Sequence, residues 1–448
     1  MSGIRPLRIA QVAPPLERVP PLAYGGTERV IFELTSQLAA RGHDVTVFAS
    51  GDSDVPCRLV PTVPEALRPA GFGGDPAPHF LETIQALLDH ASEFDVIHSH
   101  LEWWSILLAR VVPVPVVSTF HGRLDLQHSR RLLAGRPEGL VAISRSQAAA
   151  HPNVDWTIIH NGLSLHEMPA GPGGDAFCFV GRVDPGKGVV EAIEVARLSG
   201  RPLRIAAKVG TLPEQVDYYE TVFRPAVEAA GSLVEFIGEV GPEERNRLFA
   251  ESFATLMPGA WPEPFGLVAI ESLACGTPIL ARRVGALPEI IRDGVDGFFG
   301  DDPLHLSFHA EGVAGLDRTA IRERAIERFS AARMADRYEE LYLRQVDEAP
   351  PPTVRIPPRR SSGLPARVAG PASAATIVDR PARVLPGRPV AGILVPVGPG
   401  RDPGNPGIGS TGLSAGPTGR SATATAEPTD DPRPGDARAG GARTRPRP

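Results

Sequence analysis

Short apolar runs alternate along the chain with longer stretches whose apolar residues recur at helical spacing. Residues 8–12 (RIAQV), closed by Pro14 and Pro15, form the first run, and residues 44–49 (DVTVFA) the second. Neither alternates between polar and apolar, as expected of strands covered on both faces in a parallel sheet. Between them, Gly25-Gly26-Thr27-Glu28 leads into residues 30–38, which carry a helix's period and end on Arg41-Gly42, a basic last turn with a C′ glycine. Strand, glycine loop, helix and strand in this order predict a Rossmann-like unit, whose ligand crevice lies at the carboxyl ends of its strands. The glycines do not spell the dinucleotide fingerprint, which argues against a dehydrogenase. The loop is either a site element or a simple turn.

The pattern continues in the same style. Residues 79–91 predict an amphipathic helix, and residues 95–100 (DVIHSH) a strand running into a loop. Trp103 and Trp104 open the next helix, where an aromatic pair reads as core rather than substrate platform. Residues 115–120 (PVVSTF) form a strand ending at His121-Gly122, residues 139–144 another, and residues 156–159 lead into His160-Asn161-Gly162. His98 and His100 share one strand face, but nothing supplies a third ligand, so a metal pair is disfavoured. A polar, Gly- and Pro-rich passage over 163–175 marks a domain boundary. Beyond it, residues 176–180 begin a second Rossmann-like unit, followed by the loop Gly181-Arg182-Val183-Asp184-Pro185-Gly186-Lys187-Gly188 and a helix over 190–198. Strands follow at 203–208, 234–238, 254–257 and 278–281, with helices over 242–250 and after Phe265 and a helical period over 318–344.

Composition adds three bounds. At 448 residues the chain can hold two or three domains with full cores. Its formal net charge of −6 hides an asymmetry: from Ala349 onward there are 14 Arg against 6 Asp plus Glu, so an acidic body carries a basic tail. This tail, 349–448, holds 20 of the 48 prolines and 15 of the 47 glycines, with no aromatic residue and no lysine. It cannot bury enough apolar surface to offset ordering entropy and is expected to be disordered. Nucleic acid is not an expected partner. Cys57, Cys178 and Cys275 are odd in number and lack metal-ligand spacing, which points to a reducing compartment. No signal-peptide core or membrane-spanning run is evident, so a soluble cytoplasmic protein is expected, with peripheral contact at a membrane face left open. Asp52-Ser53-Asp54 imitates an acidic metal-binding triplet, but it follows a strand in a polar turn with no strand pattern after it.

The chemistry concentrates in residues 258–276, PGAWPEPFGLVAIESLACG. Glu263 and Glu271 stand with seven residues between them, and Phe265-Gly266 sits where a helix-period run begins. Gly266 leaves the first helical amides free to face an anion. A carboxylate beside an anion site needs its own partner, and ionised glutamate can only accept hydrogen bonds, so sugar hydroxyls suit it. A nucleotide sugar fits these residue types, though a capped helix with solvated acids fits them too. Arg182 and Lys187, held apart by glycine and proline, can reach the same oxyanions. Lys187 is not followed by Ser or Thr, which disfavours an ATPase loop.

Glu263-Pro264-Phe265-Gly266 followed by Glu271 and by Gly276-Thr277-Pro278 resembles the signature of the retaining family 4 glycosyltransferases of GT-B architecture. The resemblance implies an α/β fold with two Rossmann-like domains facing across a cleft. On it, residues 1–168 would form the acceptor domain and 169–330 the nucleotide-sugar donor domain, with 331–348 a helix returning to the first. It implies a hexosyltransferase-type enzyme of the EC 2.4 class, retaining and metal-independent, with a nucleotide-diphosphate sugar as donor substrate, no cofactor and an unidentified acceptor. Glu271 would hold the donor ribose, Glu263 the transferred sugar, and His121 a hydroxyl of that sugar. Arg182 and Lys187 would bind the diphosphate, with Phe265, Gly266 and Leu267 at the helix start, and Gly25 and Gly26 against the diphosphate or acceptor. An epimerase of the same architecture and a non-catalytic nucleotide-sugar binder are the alternatives. A phosphorylase would need a cofactor-binding lysine that the sequence does not identify.

Overall fold

The strand-forming runs assemble into two sheets in the computed structural model, which describes residues 5–23, 25–126, 129–134 and 138–349. Apart from Ala349, the expected disordered tail lies outside these residues. The first sheet comprises β1 (Arg8–Val12), β2 (Asp44–Ser50), β3 (Arg58–Val63), β4 (Val96–Ser99), β5 (Val116–Phe120), β6 (Leu140–Ala142) and β7 (Thr157–Ile158). Its spatial order is β3-β2-β1-β4-β5-β6-β7. The second comprises β8 (Phe177–Arg182), β9 (Leu203–Lys208), β10 (Val234–Gly238), β11 (Thr255–Met257), β12 (Ile279–Ala281) and β13 (Gly297–Phe299), in the order β10-β9-β8-β11-β12-β13. Every pairing is parallel. Helices cover both faces of such a sheet, which is why Ile9, Ala10, Val12, Phe177 and Cys178 are all fully buried. In each sheet the strand order reverses its sense at the centre, between β1 and β4 and between β8 and β11, and a crevice opens there at the carboxyl ends.

Local expectations around the acidic triplet are corrected. Residues 58–63 (RLVPTV) form β3, an edge strand on β2. Half-exposed and carrying Pro61, it lacks the apolar run of an interior strand, and an edge is where proline is tolerated. The acidic triplet therefore does precede a strand, yet its groups tie loops together. Asp52 Oδ1 accepts from the Ala66 amide at 3.1 Å and Ser53 Oγ from the Val19 amide at 3.0 Å. Among the described residues no cluster of three or more His, Cys, Asp or Glu is placed to hold a metal ion. The helical pattern over 318–344 is two helices, Arg318–Phe329 and Ala331–Glu348. Ser330 is extended (ψ 149°) and its hydroxyl caps the Arg333 amide, which restarts the helix in a new direction. Helical segments over 213–230 and 303–313 are also present without having been anticipated.

The Ala331–Glu348 helix returns to the first sheet. Met334, Ala335, Tyr338, Leu341 and Tyr342 share a core cluster with Leu7, Ile9, Val30 and Leu34, and Arg41 and His43 both bond Glu339. No helix of the described residues is long and apolar enough to cross a membrane.

Candidate active site

A cleft of ≈ 660 Å³ is lined by residues from the carboxyl ends of strands in both sheets. Two helix starts meet in it. The first helix, Gly26–Ala40, begins beside the helix Leu267–Ala274, close enough that a Cβ on Gly26 would lie 3.3 Å from Leu267 Cδ1. Gly266 caps the second helix at φ +110°, a conformation suited to glycine, and no side chain caps it. Loop 185–188 is fastened to loop 258–263 backbone against backbone. The Trp261 amide donates to the Gly186 carbonyl at 2.9 Å, and a Cβ on Gly188 would fall 2.5 Å from the Gly259 nitrogen. Only glycine permits this approach, and it brings Lys187 onto the segment that carries Glu263.

All ten residues singled out in the sequence line this cleft: Gly25, Gly26, His121, Arg182, Lys187, Glu263, Phe265, Gly266, Leu267 and Glu271. Their immediate partners differ from expectation. The glutamates do not wait for sugar hydroxyls as their partners. Lys187 Nζ is ion-paired with Glu263 Oε1, so Lys187 does not stand free in solvent. Arg29 and Arg245 each place a guanidinium nitrogen 2.8 Å from Glu271 Oε1. Neither is aligned for a directed hydrogen bond, so Glu271 is held by charge, leaving that oxygen without a hydrogen bond although it is buried. Phe265 is buried against His160 and Phe329 at ring distances of 5.7 and 5.9 Å; its side chain belongs to the core, leaving only its backbone to serve a ligand.

Arg182 ends β8 and stands 3.9 Å from Asp184, with its buried Nε lacking any hydrogen-bond partner. Trp261 lies between two cations, with the Arg123 guanidinium 4.7 Å and Lys187 Nζ 5.8 Å from its ring centre. Arg123 comes from the first sheet's side of the cleft and Trp261 from the second's. Further links run along the cleft floor: Ser144 Oγ donates to the Pro264 carbonyl at 2.7 Å, and Glu289 accepts from the Arg145 and Ser146 amides at 3.0 and 2.7 Å. The same carboxylate lies 3.1 Å from His160 Nε2. Burial by itself raises the Glu289 pKa, but the bonds from His160 and the two amides together outweigh it and leave the pKa depressed.

His121 follows β5 and ends a buried polar chain. The Gln11 amide donates to the Tyr342 hydroxyl at 3.2 Å, while its Oε1 lies 3.0 Å from His100 Nε2. His100 Nδ1 is 2.9 Å from His121 Nε2. In this arrangement His100 carries its proton on Nε2 and accepts at Nδ1 from His121, so His121 keeps a lone pair on its own Nδ1. Burial drives His98 and His100 well below the usual histidine range and His121 to about 4. All three are therefore neutral at pH 7. His98 and His100 are hydrogen-bond relays, His98 joining Thr119 at 2.7 Å and Tyr342 at 2.6 Å. Trp103 and Trp104 both line the cleft while packing on Phe120 and Phe80. Sequence reasoning missed Arg29, Arg245, Gln11 and Glu102. Only Arg29, three residues past the glycine pair, carried a local signal.

Residues 24–167 match the Glycosyltransferase Family 4 model and residues 170–312 match Glycosyl transferases group 1. The D-inositol 3-phosphate glycosyltransferase of Acidothermus cellulolyticus is 30% identical over 412 residues, covering 71% of this chain and 92% of that protein. The glycogen synthase of Mycobacterium tuberculosis is 28% identical over 337 residues, covering 62% and 79%. Among solved structures, AviGT4, a glycosyltransferase involved in avilamycin A biosynthesis, shares 28% identity and superposes with a TM-score of 0.60 over 77% of this chain and 99% of its own. Two parallel α/β sheets facing one cleft, matched along most of their length, bear out the GT-B expectation. With that fold, this cleft and these relatives, the chain belongs to the family 4, group 1 glycosyltransferases and is an enzyme of the EC 2.4 class.

Proposed function

We propose that this glycosyltransferase moves a sugar from a nucleoside-diphosphate sugar to a hydroxyl-bearing acceptor, without a metal ion and with retention of anomeric configuration. The carrying observation is that Arg182, Lys187 and the free start of the Leu267–Ala274 helix line one cleft with Glu263 and Glu271. As the bond between the anomeric carbon and the diphosphate breaks, negative charge grows on the leaving phosphate. Two cations and a helix start are suited to stabilise it in place of a divalent ion. Arg182 has an Nε–H without a partner, and Lys187 exchanges Glu263 for phosphate when the donor arrives. Glu263, once released, faces the transferred sugar, and the neutral His121 accepts a hydroxyl hydrogen at Nδ1. Retention is supported by family membership.

The domain assignment follows the same reading: residues 1–168 take the acceptor, residues 169–330 the donor, and 331–348 brace the hinge. Incubating purified protein with UDP-, ADP- and GDP-sugars, with and without a mixture of monosaccharides, polyols and maltodextrins, tests the proposal. Nucleoside diphosphate release that rises with acceptor, and an α-linked product from an α-linked donor, is the expected result. Release of free epimer without acceptor, or binding without release, would overturn it.

A further inference from the structure

Glu102 occupies a position that the reading above leaves unexplained. It follows β4, and among the described residues it is the non-glycine residue with positive φ, +52°. Such a conformation is unfavourable for a side chain bearing Cβ, and persists where surrounding contacts over-determine it. The contacts here are specific. Glu102 Oε1 accepts from the His121 amide at 2.8 Å and from the Gly122 amide at 3.0 Å, the first two N–H groups beyond β5. The carboxylate is thereby fixed beside His121, over the ends of two adjacent strands, where it lines the cleft.

Its second oxygen is unused. No hydrogen bond to Oε2 and no ion pair to Glu102 occurs among the described residues, whereas Glu263, Glu271 and Glu239 each face a cation. Glu28, another cleft carboxylate without a cation, is almost fully buried and curls back on its own loop, Oε2 lying 3.3 Å from where a Gly25 Cβ would be. Glu102 is the more open of the two. A carboxylate set in a protein wall without a cation is costly, and burial raises its pKa to about 7 against the pull of the two amides. If its task were only to tie the 121–122 loop, an amide side chain would do so without that cost.

We propose that Glu102 is an acceptor-binding residue, its Oε2 receiving the hydrogen bond of the hydroxyl that attacks the donor. This rests on the transferase reading above and adds to it a named group on the wall opposite Arg182 and Lys187. The acceptor chemistry it selects is a neutral polyol or sugar hydroxyl, because a carboxylate accepts from O–H and repels an anion.

Glu102→Gln tests the assignment. The glutamine carbonyl oxygen can accept both amides, so the loop keeps its anchor, but the second oxygen becomes a donor. Nucleoside diphosphate release would be followed with each of the three donors, with water alone and with the polyol and maltodextrin mixture. Calorimetry would give the affinity for free nucleoside diphosphate. The expected result is an affinity within about twofold of wild type, a melting temperature no lower at pH 7, and turnover reduced at least about tenfold with either acceptor. Wild-type turnover in the variant would show that Glu102 only ties the loop and would overturn the proposal alone. A wild-type protein inactive with every donor would remove the transferase reading, and this proposal with it.

Discussion

Replacing Lys187 with alanine removes one cation from the cleft and leaves Glu263 without its partner. Two touching unit charges near a protein surface attract by about 4 kcal/mol before desolvation and side-chain ordering are counted. Lys187 and Glu263 are 19% and 18% exposed, between the fully exposed pairs whose net contribution is about 1 kcal/mol or less and the buried ones whose disruption costs about 3–5 kcal/mol. A stability loss of about 1–2 kcal/mol follows. Losing a group that stabilises a developing oxyanion costs more, about 2.7–4 kcal/mol in the barrier or about 10²–10³ in turnover. Lys187→Ala should therefore lower turnover by that factor while shifting the unfolding midpoint modestly. The complementary variant gives the opposite sign in binding. Glu263→Gln frees Lys187, so free nucleoside diphosphate should bind about fivefold tighter, for a pair worth about 1 kcal/mol, while transfer is lost. Chemical denaturation, calorimetry with nucleoside diphosphate and release assays on both single variants and the double variant measure all three quantities. Parallel losses of folding and turnover in Lys187→Ala, or unchanged nucleotide affinity in Glu263→Gln, would refute the exchange of Glu263 for phosphate.

Gln11→Leu strands His100 Nε2 in the core and leaves the Tyr342 hydroxyl with His98 alone; a loss of about 1–3 kcal/mol in denaturation is expected, with reduced turnover because His121 loses its fixed tautomer. Tyr342→Phe keeps the Gln11–His100 contact and should reduce turnover less; equal losses would break the proposed link. The stability of Glu102→Gln should also diverge from wild type with pH. The Glu102 carboxyl is raised from 4.5 to about 7 on folding, so its stabilising proton uptake is complete below pH 4.5 and is lost as pH rises towards 7. Glutamine does not titrate, and the variant should gain on wild type by about 1.4 kcal/mol per pH unit across that window. Parallel stability curves from denaturant titrations at a series of pH values would contradict this. Ending the chain after Glu348 should leave nucleoside diphosphate release unchanged, and a large fall in turnover would assign the tail a role.

Which parts of the molecule were legible in the sequence follows from the range of the forces involved. Strands buried on both faces, the Gly25-Gly26 loop, the Gly266 helix start and the Arg182 to Lys187 loop are set by local periodicity and backbone freedom. They were readable in order, and the motif resemblance assembled them into one site. β3 was missed because an edge strand carries half its usual apolar signal. The pairing of side chains was decided only by tertiary structure. Arg29 and Glu271 are brought together from different halves of the chain, and Gln11 meets Tyr342 across 331 positions. Glu102 anchors two amides that belong to a neighbouring strand's end. Such contacts depend on where parallel strands end relative to one another and on how the last helix returns, and neither leaves a period or spacing in the sequence. The chain thus announced many of the groups its cleft contains, while the fold alone determined which charges neutralise each other and which carboxylate has no cation beside it.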